Sequence, residues 1–334
     1  MRSRAFLDRR TFLGAMAGGL LATPLAAEAQ GPGKVPRIGY AMSRAAWEDR
    51  HLLDAAREGL RDLGYVEGQN IALEVRWAEG RYERFPAIVA ELISHRVDVL
   101  VVATTPGALA AKNATRTIPV VMTAVGDPVA SGLVASLARP GGNLTGLSLL
   151  NPTVHGKRLE LLKQAFPSIA HVAVLTNPGN PIHTIFLRES QAAAQTLGVH
   201  LQPIKAERRE DLDDAFTAAV RGHADALLAL DDALTLAYRK QVIALAAKRR
   251  LPVMYGFREF PDAGGLMSYG TDNVTQYRRT AIFVDKILKG ARPADLPIDQ
   301  PTKFELVVNL KAANAIGLTI PASLLQRADQ VIDP

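Results

Sequence analysis

The sequence predicts an α/β protein built as two similar lobes, each a parallel sheet covered by helices. Three observations carry that reading. Short β-branched runs alternate with amphipathic helical stretches from Val35 onward, the pattern of strand–helix–strand units. The alternation starts again with a helix near residue 150. With 334 residues, 48% of them hydrophobic and 22% charged, the chain can also bury one large core or two medium ones.

The elements follow in order. PRIGYAMS (36–43), NIALEVRW (70–77), VDVLVVATT (97–105) and IPVVMTAVG (118–126) read as strands, rich in Val, Ile and Leu. Apolar residues at helical spacing place helices between them at 46–63, 81–95 and 106–115. NLTGLSL (143–149) leads into a helix at 153–166. HVAVLTNP (171–178), VHLQPIKA (199–206), ADALLALDD (224–232) and LPVMYG (251–256) form the second series of strands, with helices near 181–197, 210–221 and 233–250. Gly64 and Gly198 each follow a helix, where a glycine C-cap belongs.

The tail alters the topology. GGLMSYGTD (264–272) is a further strand, 273–289 a helix, TKFELVVN (302–309) a strand and ANAIGL (313–318) a short helical stretch. Crossings between lobes are expected near 147–152, 266–272 and 303–310, giving one lobe of 35–148 plus 272–303 and another of 149–271 plus 304–334. Several connecting segments make a hinge, and two lobes on a hinge make a clamp with a cleft.

Residues 1–29 read as a secretory signal, cleaved near Ala29/Gln30 after an A-x-A site. Arg9-Arg10 followed by Phe12-Leu13 resembles the twin-arginine export motif, against the alternative of a general secretory signal with a chance arginine pair. Its removal takes away four arginines and two carboxylates, so the formal net charge falls from +6 to +4. No remaining basic run is interleaved with aromatics, and Lys248-Arg249-Arg250 closes a helix, which argues against nucleic acid as a partner. The absence of cysteine excludes disulfides and thiolate metal sites.

In open parallel sheets ligands bind beyond the carboxyl ends of the strands. Ser43 follows the first strand, Thr104 and Thr105 the third and Asp127 the fourth. Asn177, Asp231, Tyr255 and Tyr269 occupy the corresponding ends in the second half. Thr105, Asp127 and Asn177 each precede a proline and Asp231-Asp232 precedes a helix, so each also suits a helix cap. Asp127 and Asp231 offer carboxylates to a ligand ammonium, and the Thr104-Thr105 helix start offers donors to a carboxylate, which together fit a zwitterion. Tyr40, Trp47, Tyr255, Phe257 and Tyr269 fall at or beyond strand ends and offer stacking surfaces, with core packing the default for Phe257 and surface packing for Trp47.

Catalytic patterns are scarce. No HExxH, Gly-x-Ser-x-Gly, GxxxxGK[ST] or GxGxxG pattern is present, and His155, His171, His183 and His223 read as surface or helix-end residues. Gly126 looks like part of a phosphate loop, but Asp127 beside it would repel phosphate. Neither a cofactor nor a metal site is expected.

Four segments carry a family resemblance: LGYVEGQNIALEVRWAEG (63–80), GDPVASGLVASLARPGGNLTGLS (126–148), YGFREFPDAGGLMSYG (255–270) and the long block from Val284 to Asp329. They resemble the ABC-transporter substrate-binding proteins related to tryptophan/tyrosine-binding periplasmic components, over essentially the whole mature chain. The resemblance implies a type I periplasmic-binding-protein fold, with two Rossmann-like lobes on a three-segment hinge. It implies a periplasmic protein that captures a small polar ligand, an amino acid (aromatic ones included) or a related small carboxylate, delivers it to an ABC permease with a cytoplasmic ATPase, and does no chemistry; a clamp that must present both lobes to its permease is expected to be a monomer. By that likeness Ser43, Thr104, Thr105 and Asp127 bind the ligand from the first lobe, and Asn177, Asp231 and Tyr255 from the second. A receptor serving a membrane sensor, or a secreted enzyme using Asp127 or Asp231 as general base, remain as alternatives.

Overall fold

The computed structural model describes residues 34–149 and 154–333. The export signal expected over residues 1–29, and part of the first expected crossing, lie outside them. Strands β1 (Arg37–Met42), β2 (Ala72–Trp77), β3 (Val99–Ala103), β4 (Val120–Val125) and β5 (Leu144–Ser148) form a sheet in the order β2-β1-β3-β4-β5. Every neighbouring pair is parallel. β3 shows why: all five of its residues are buried. Val99, Val101 and Ala103 point to one apolar layer, and Leu100 and Val102 to the other. A strand covered on both faces can be apolar throughout, which is the condition a parallel sheet imposes.

The second sheet holds β6 (His171–Thr176), β7 (His200–Lys205), β8 (Ala226–Ala229), β9 (Val253–Tyr255), β10 (Met267–Gly270), β11 (Glu305–Asn309) and β12 (Gln330–Ile332). Their order is β12-β11-β10-β9-β8-β6-β7, and only the β10–β11 pair is antiparallel. Pro203 lies on β7, the sheet edge, where a missing N–H costs no ladder bond. Gly198, with φ of 62°, closes the helix Ile182–Leu197 in the left-handed conformation, as its position after the helix predicts.

Three details depart from the sequence reading. The single helix expected over 233–250 is two, Ala233–Ala237 and Arg239–Lys248, separated at Tyr238. The last helical stretch begins earlier, at Leu310, because the Asn309 side chain accepts from Ala312 N and caps it. β12 was not foreseen; a three-residue strand has too few positions to display a period.

The helix Asn273–Leu288 follows β10 of the second sheet but packs against the helix Ala46–Asp62 of the first lobe. The two backbones come close at Gly59, where a Cβ would lie 2.2 Å from the Arg278 carbonyl oxygen. The chain stays with the first sheet through Asp299, which bridges to Leu147, and then enters β11 of the second. Together with the passage from β5 to the helix beginning at Val154, three segments thus link the sheets.

Gly59→Ala is expected to push the two helices apart. A loss of about 1–3 kcal/mol, typical of overpacking, should appear in denaturant unfolding of the variant against the parent.

Candidate functional site

A cleft with an empty volume of about 540 Å³, its mouth included, lies where the carboxyl ends of β1, β3 and β4 meet those of β6, β8 and β9. From the first lobe, β3 passes into the helix Thr104–Ala114 with no intervening loop. Thr104 makes that turn with φ of 66°, a left-handed conformation that a β-branched residue adopts at a cost of order 1–3 kcal/mol. Its Oγ1 is buried and has no hydrogen-bond partner among the described residues. Thr105 Oγ1 accepts from Gly126 N at 3.2 Å and so ties the end of β3 to the end of β4. On β4, Ala124 has φ of 51° where the register against β5 shifts, and it too lines the cleft. Ser43 and Arg44 follow β1, and Arg44 forms a buried ion pair with Asp49. Burial pushes the Asp49 carboxyl up while Arg44 pulls it down.

From the second lobe come two adjacent carboxylates beyond β8. Asp231 Oδ2 accepts from Arg158 Nη1 at 2.9 Å, with both side chains almost fully buried, while Asp231 Oδ1 has no partner among the described residues. Asp232 is saturated. Its Oδ1 takes Asn177 Nδ2 at 2.9 Å and Leu234 N at 3.0 Å, the latter capping the helix Ala233–Ala237. Its Oδ2 takes Asn180 Nδ2 at 3.1 Å and, from the other lobe, Tyr82 OH at 2.8 Å. The same tyrosine oxygen accepts from Ala233 N at 3.0 Å. Burial, helped by the Asp232 charge, holds the phenol well above the ordinary tyrosine range, so it stays a donor. His183 Nδ1 accepts from Asn177 N at 2.8 Å, which assigns the proton to Nε2, 3.0 Å from the Asp231 carbonyl.

Apart from Asn273, the remaining wall is apolar, with Leu52 and Tyr277 from the first lobe and Ile182, Phe186, Leu236 and Phe257 from the second. At Gly126 the lobes nearly touch: a Cβ there would meet Ile182 Cγ1 at 2.6 Å and Phe186 Cζ at 2.7 Å.

Of the residues singled out from the sequence, Ser43, Thr104, Thr105 and Asp231 line this cleft. Asn177 stands behind it as a support for Asp232. Asp127 is turned to its own backbone, accepting from Val129 N at 2.9 Å and Ala130 N at 2.8 Å; its capping role has taken the carboxylate. Tyr255 and Tyr269 are not cleft residues. Tyr255 is stacked on Phe260 at 4.1 Å and lines a separate apolar hollow, because its side chain alternates onto a sheet face. Tyr269 stacks on Phe304 at 5.7 Å, and its carbonyl accepts from Arg158 Nε. Tyr40 lies in the first-lobe core and Trp47 is exposed, whereas Phe257 reaches the cleft wall. His155 and His183 stand in first helical turns, as expected, but are buried.

Several cleft residues escaped the sequence reading: Arg44, Tyr82, Asn180, Asn273 and, beneath the floor, Arg158. Only Arg158 left a readable signal. It falls at helical spacing with Val154, Leu161, Leu162 and Ala165, so a charge stood on the apolar face.

Glu189, one turn beyond Phe186, is pushed up to about 7 by burial and then by the charge of Asp127 across the lobes. Because this carboxyl is raised from 4.5, its ionisation costs stability, and the cost is absent below that value and complete above about 7. Glu189→Gln should therefore raise Tm at about pH 8, with the gain vanishing as pH falls toward about 4; thermal unfolding across that range is the measurement.

Comparison with known proteins agrees with this architecture. The sequence matches the family profile described as ABC transporter substrate binding protein over residues 51–332. It is 27% identical over 270 residues to a tyrosine-binding protein of Clostridioides difficile, covering 80% of this chain and 77% of that one. A Streptococcus pneumonia ABC domain in complex with L-Trp superposes with a TM-score of 0.83 at 26% identity, covering 89% of this chain and 99% of that one. The ligand-free, open structure of a Clostridium difficile substrate binding protein with adhesive properties gives 0.65 at 25% identity, covering 90% and 100%. With parallel sheets in two lobes around a cleft, the fold is that of the type I periplasmic binding proteins. The chain belongs to the ABC transporter substrate-binding protein family.

Proposed function

We propose that this protein is the solute-binding component of an ABC importer and captures a neutral amino acid with an apolar or aromatic side chain. One observation carries the reading. The cleft presents an unpartnered carboxylate oxygen, Asp231 Oδ1, from one lobe and an unpartnered hydroxyl, Thr104 Oγ1, from the other. An ammonium satisfies the first, and a carboxylate satisfies the second together with the N-terminus of the helix Thr104–Ala114. Phe186, Phe257, Tyr277 and Leu52 then offer a surface for the side chain.

The lobe arrangement supports a ligand-holding state. At nearly equal identity, the likeness to the L-Trp-bound structure exceeds that to the ligand-free open one, with TM-scores of 0.83 and 0.65. Ligand bridging the lobes favours closure by differential contact. Tyr82 adds a link of its own between lobes, and so does Arg239, whose Nη1 lies 3.6 Å from Glu48 Oε1. The ligand is released unchanged to a membrane permease driven by a cytoplasmic ATPase. Residues 1–29 direct export by the twin-arginine route to the periplasm, where the mature protein acts as a monomer. No helix among the described residues is long and apolar enough to cross a membrane.

A thermal-shift screen of the mature protein against the common amino acids tests this reading. A ligand at about 1,000 times its Kd adds about 4 kcal/mol, and no stabilisation by any amino acid would sink it. Thr104→Ala should lower affinity about fivefold, as loss of one hydrogen bond does, while leaving Tm equal or higher because strain is relieved. Tyr82→Phe should speed ligand dissociation about fivefold without altering the ranking of ligands, which stopped-flow fluorescence would read.

A further inference from the structure

Arg158 lies under the cleft floor, outside the cleft wall, and is among the most deeply buried side chains of the protein. It gathers three strand ends. Its Nη1 donates to Asp231 Oδ2 beyond β8 at 2.9 Å, its Nε to the Tyr269 carbonyl on β10 at 2.7 Å, and its Nη2 reaches the Gly256 carbonyl beyond β9 at 3.5 Å. Glycine makes room for it. A Cβ on Gly256 would lie 1.5 Å from Asp231 Oδ1 and 2.5 Å from Arg158 Nη2, and one on Gly270 would lie 1.8 Å from the Gly256 oxygen.

We propose that Arg158 is a positioning residue that sets which ligand charge the cleft selects: it cancels the charge of Asp231 through one oxygen and leaves the other without a partner, for the ligand ammonium to take. This rests on the reading that Asp231 meets the ligand ammonium. The other charged and titratable groups nearby leave the task to Arg158: Arg44, which also lines the cleft, is paired with Asp49. Asp232 draws its hydrogen bonds from the neutral groups of Asn177, Asn180, Tyr82 and Leu234. His183 donates Nε2 to the Asp231 carbonyl, and His155 is kept neutral by burial and by the Arg158 charge. With Arg158 present, the wall carries one negative charge fewer, so a ligand bringing its own carboxylate to Thr104 is accepted. Without it, a cation lacking that carboxylate gains.

The test compares L-tryptophan and L-tyrosine with tryptamine and tyramine, the same amines without the carboxylate, by titration calorimetry on the mature chain at neutral pH. The parent should prefer the amino acids. Arg158→Met should shift the amine-to-amino-acid affinity ratio toward the amine by about tenfold or more, as one uncancelled nearby charge implies. Arg158→Lys, which keeps the charge, and the double variant Arg158→Met/Asp231→Asn, which removes both, should stay within about threefold of the parent ratio. Asp231→Asn alone should move the ratio the opposite way. Circular dichroism checks folding, and if Arg158→Met does not fold, Asp231→Asn and the double variant decide. A ratio unmoved in folded Arg158→Met, or moved in the same direction by Arg158→Met and Asp231→Asn, overturns the proposal while leaving the amino-acid reading intact. A parent that binds none of the four probes overturns both.

Discussion

Asp232 is the interaction on which the rest of the cleft depends. Taking a carboxylate this far from water is costly unless hydrogen-bond donors converge on it. Its donors come from the loop after β6, from the first turn of the following helix and from Tyr82 in the opposite lobe. Satisfying one buried charge therefore fixes the loop, starts a helix and draws the lobes together. Asp231, its neighbour in sequence, meets the same requirement only halfway. Arg158 satisfies one oxygen, and the other is buried against Gly256 without a partner among the described residues. Two adjacent residues of the same type thus divide into a structural anchor and a candidate ligand contact, according to how many donors each can reach.

Strain and close approach concentrate around that cleft. Thr104 and Ala124 both hold left-handed backbone at the ends of adjacent strands. Such conformations persist where the surrounding structure over-determines them, commonly at binding sites. The glycines serve a related purpose. Gly126 lets Ile182 and Phe186 of the other lobe come against β4, and Gly256 leaves space for the Arg158–Asp231 pair. The Gly126-Asp127 turn that resembles a phosphate loop is thereby explained: the glycine admits the facing lobe, and the aspartate caps its own backbone.

Much of the fold was legible because it rests on local periodicity. The apolar runs of β1, β3, β4, β6 and β8 needed no tertiary information, nor did Gly64 and Gly198 after their helices. Ser43, Thr104, Thr105 and Asp231 could be placed at the cleft because each lies within two residues of the end of a parallel strand, the edge at which open parallel sheets bind ligands. Tyr255 and Tyr269 failed the same reasoning because their side chains still belong to the strand's alternation, which sends the rings onto the sheet faces. Asp127 failed for another reason. A short polar side chain beside free N–H groups bonds them first.

The sequence by itself determined the alternation of strands and helices, the restart that makes two lobes, the family, and the polar character of the strand ends. Each is a property of a residue and its near neighbours along the chain. The tertiary structure alone decided which polar groups are satisfied and which are left open. Tyr82 meets Asp232 across 150 residues and Arg158 meets Asp231 across 73, and no local pattern encodes such pairings. Desolvation makes those long-range partners decisive: a buried charge is stabilised where distant donors converge on it, and where they do not, as at Asp231 Oδ1 and Thr104 Oγ1, a polar atom is left without a partner among the described residues.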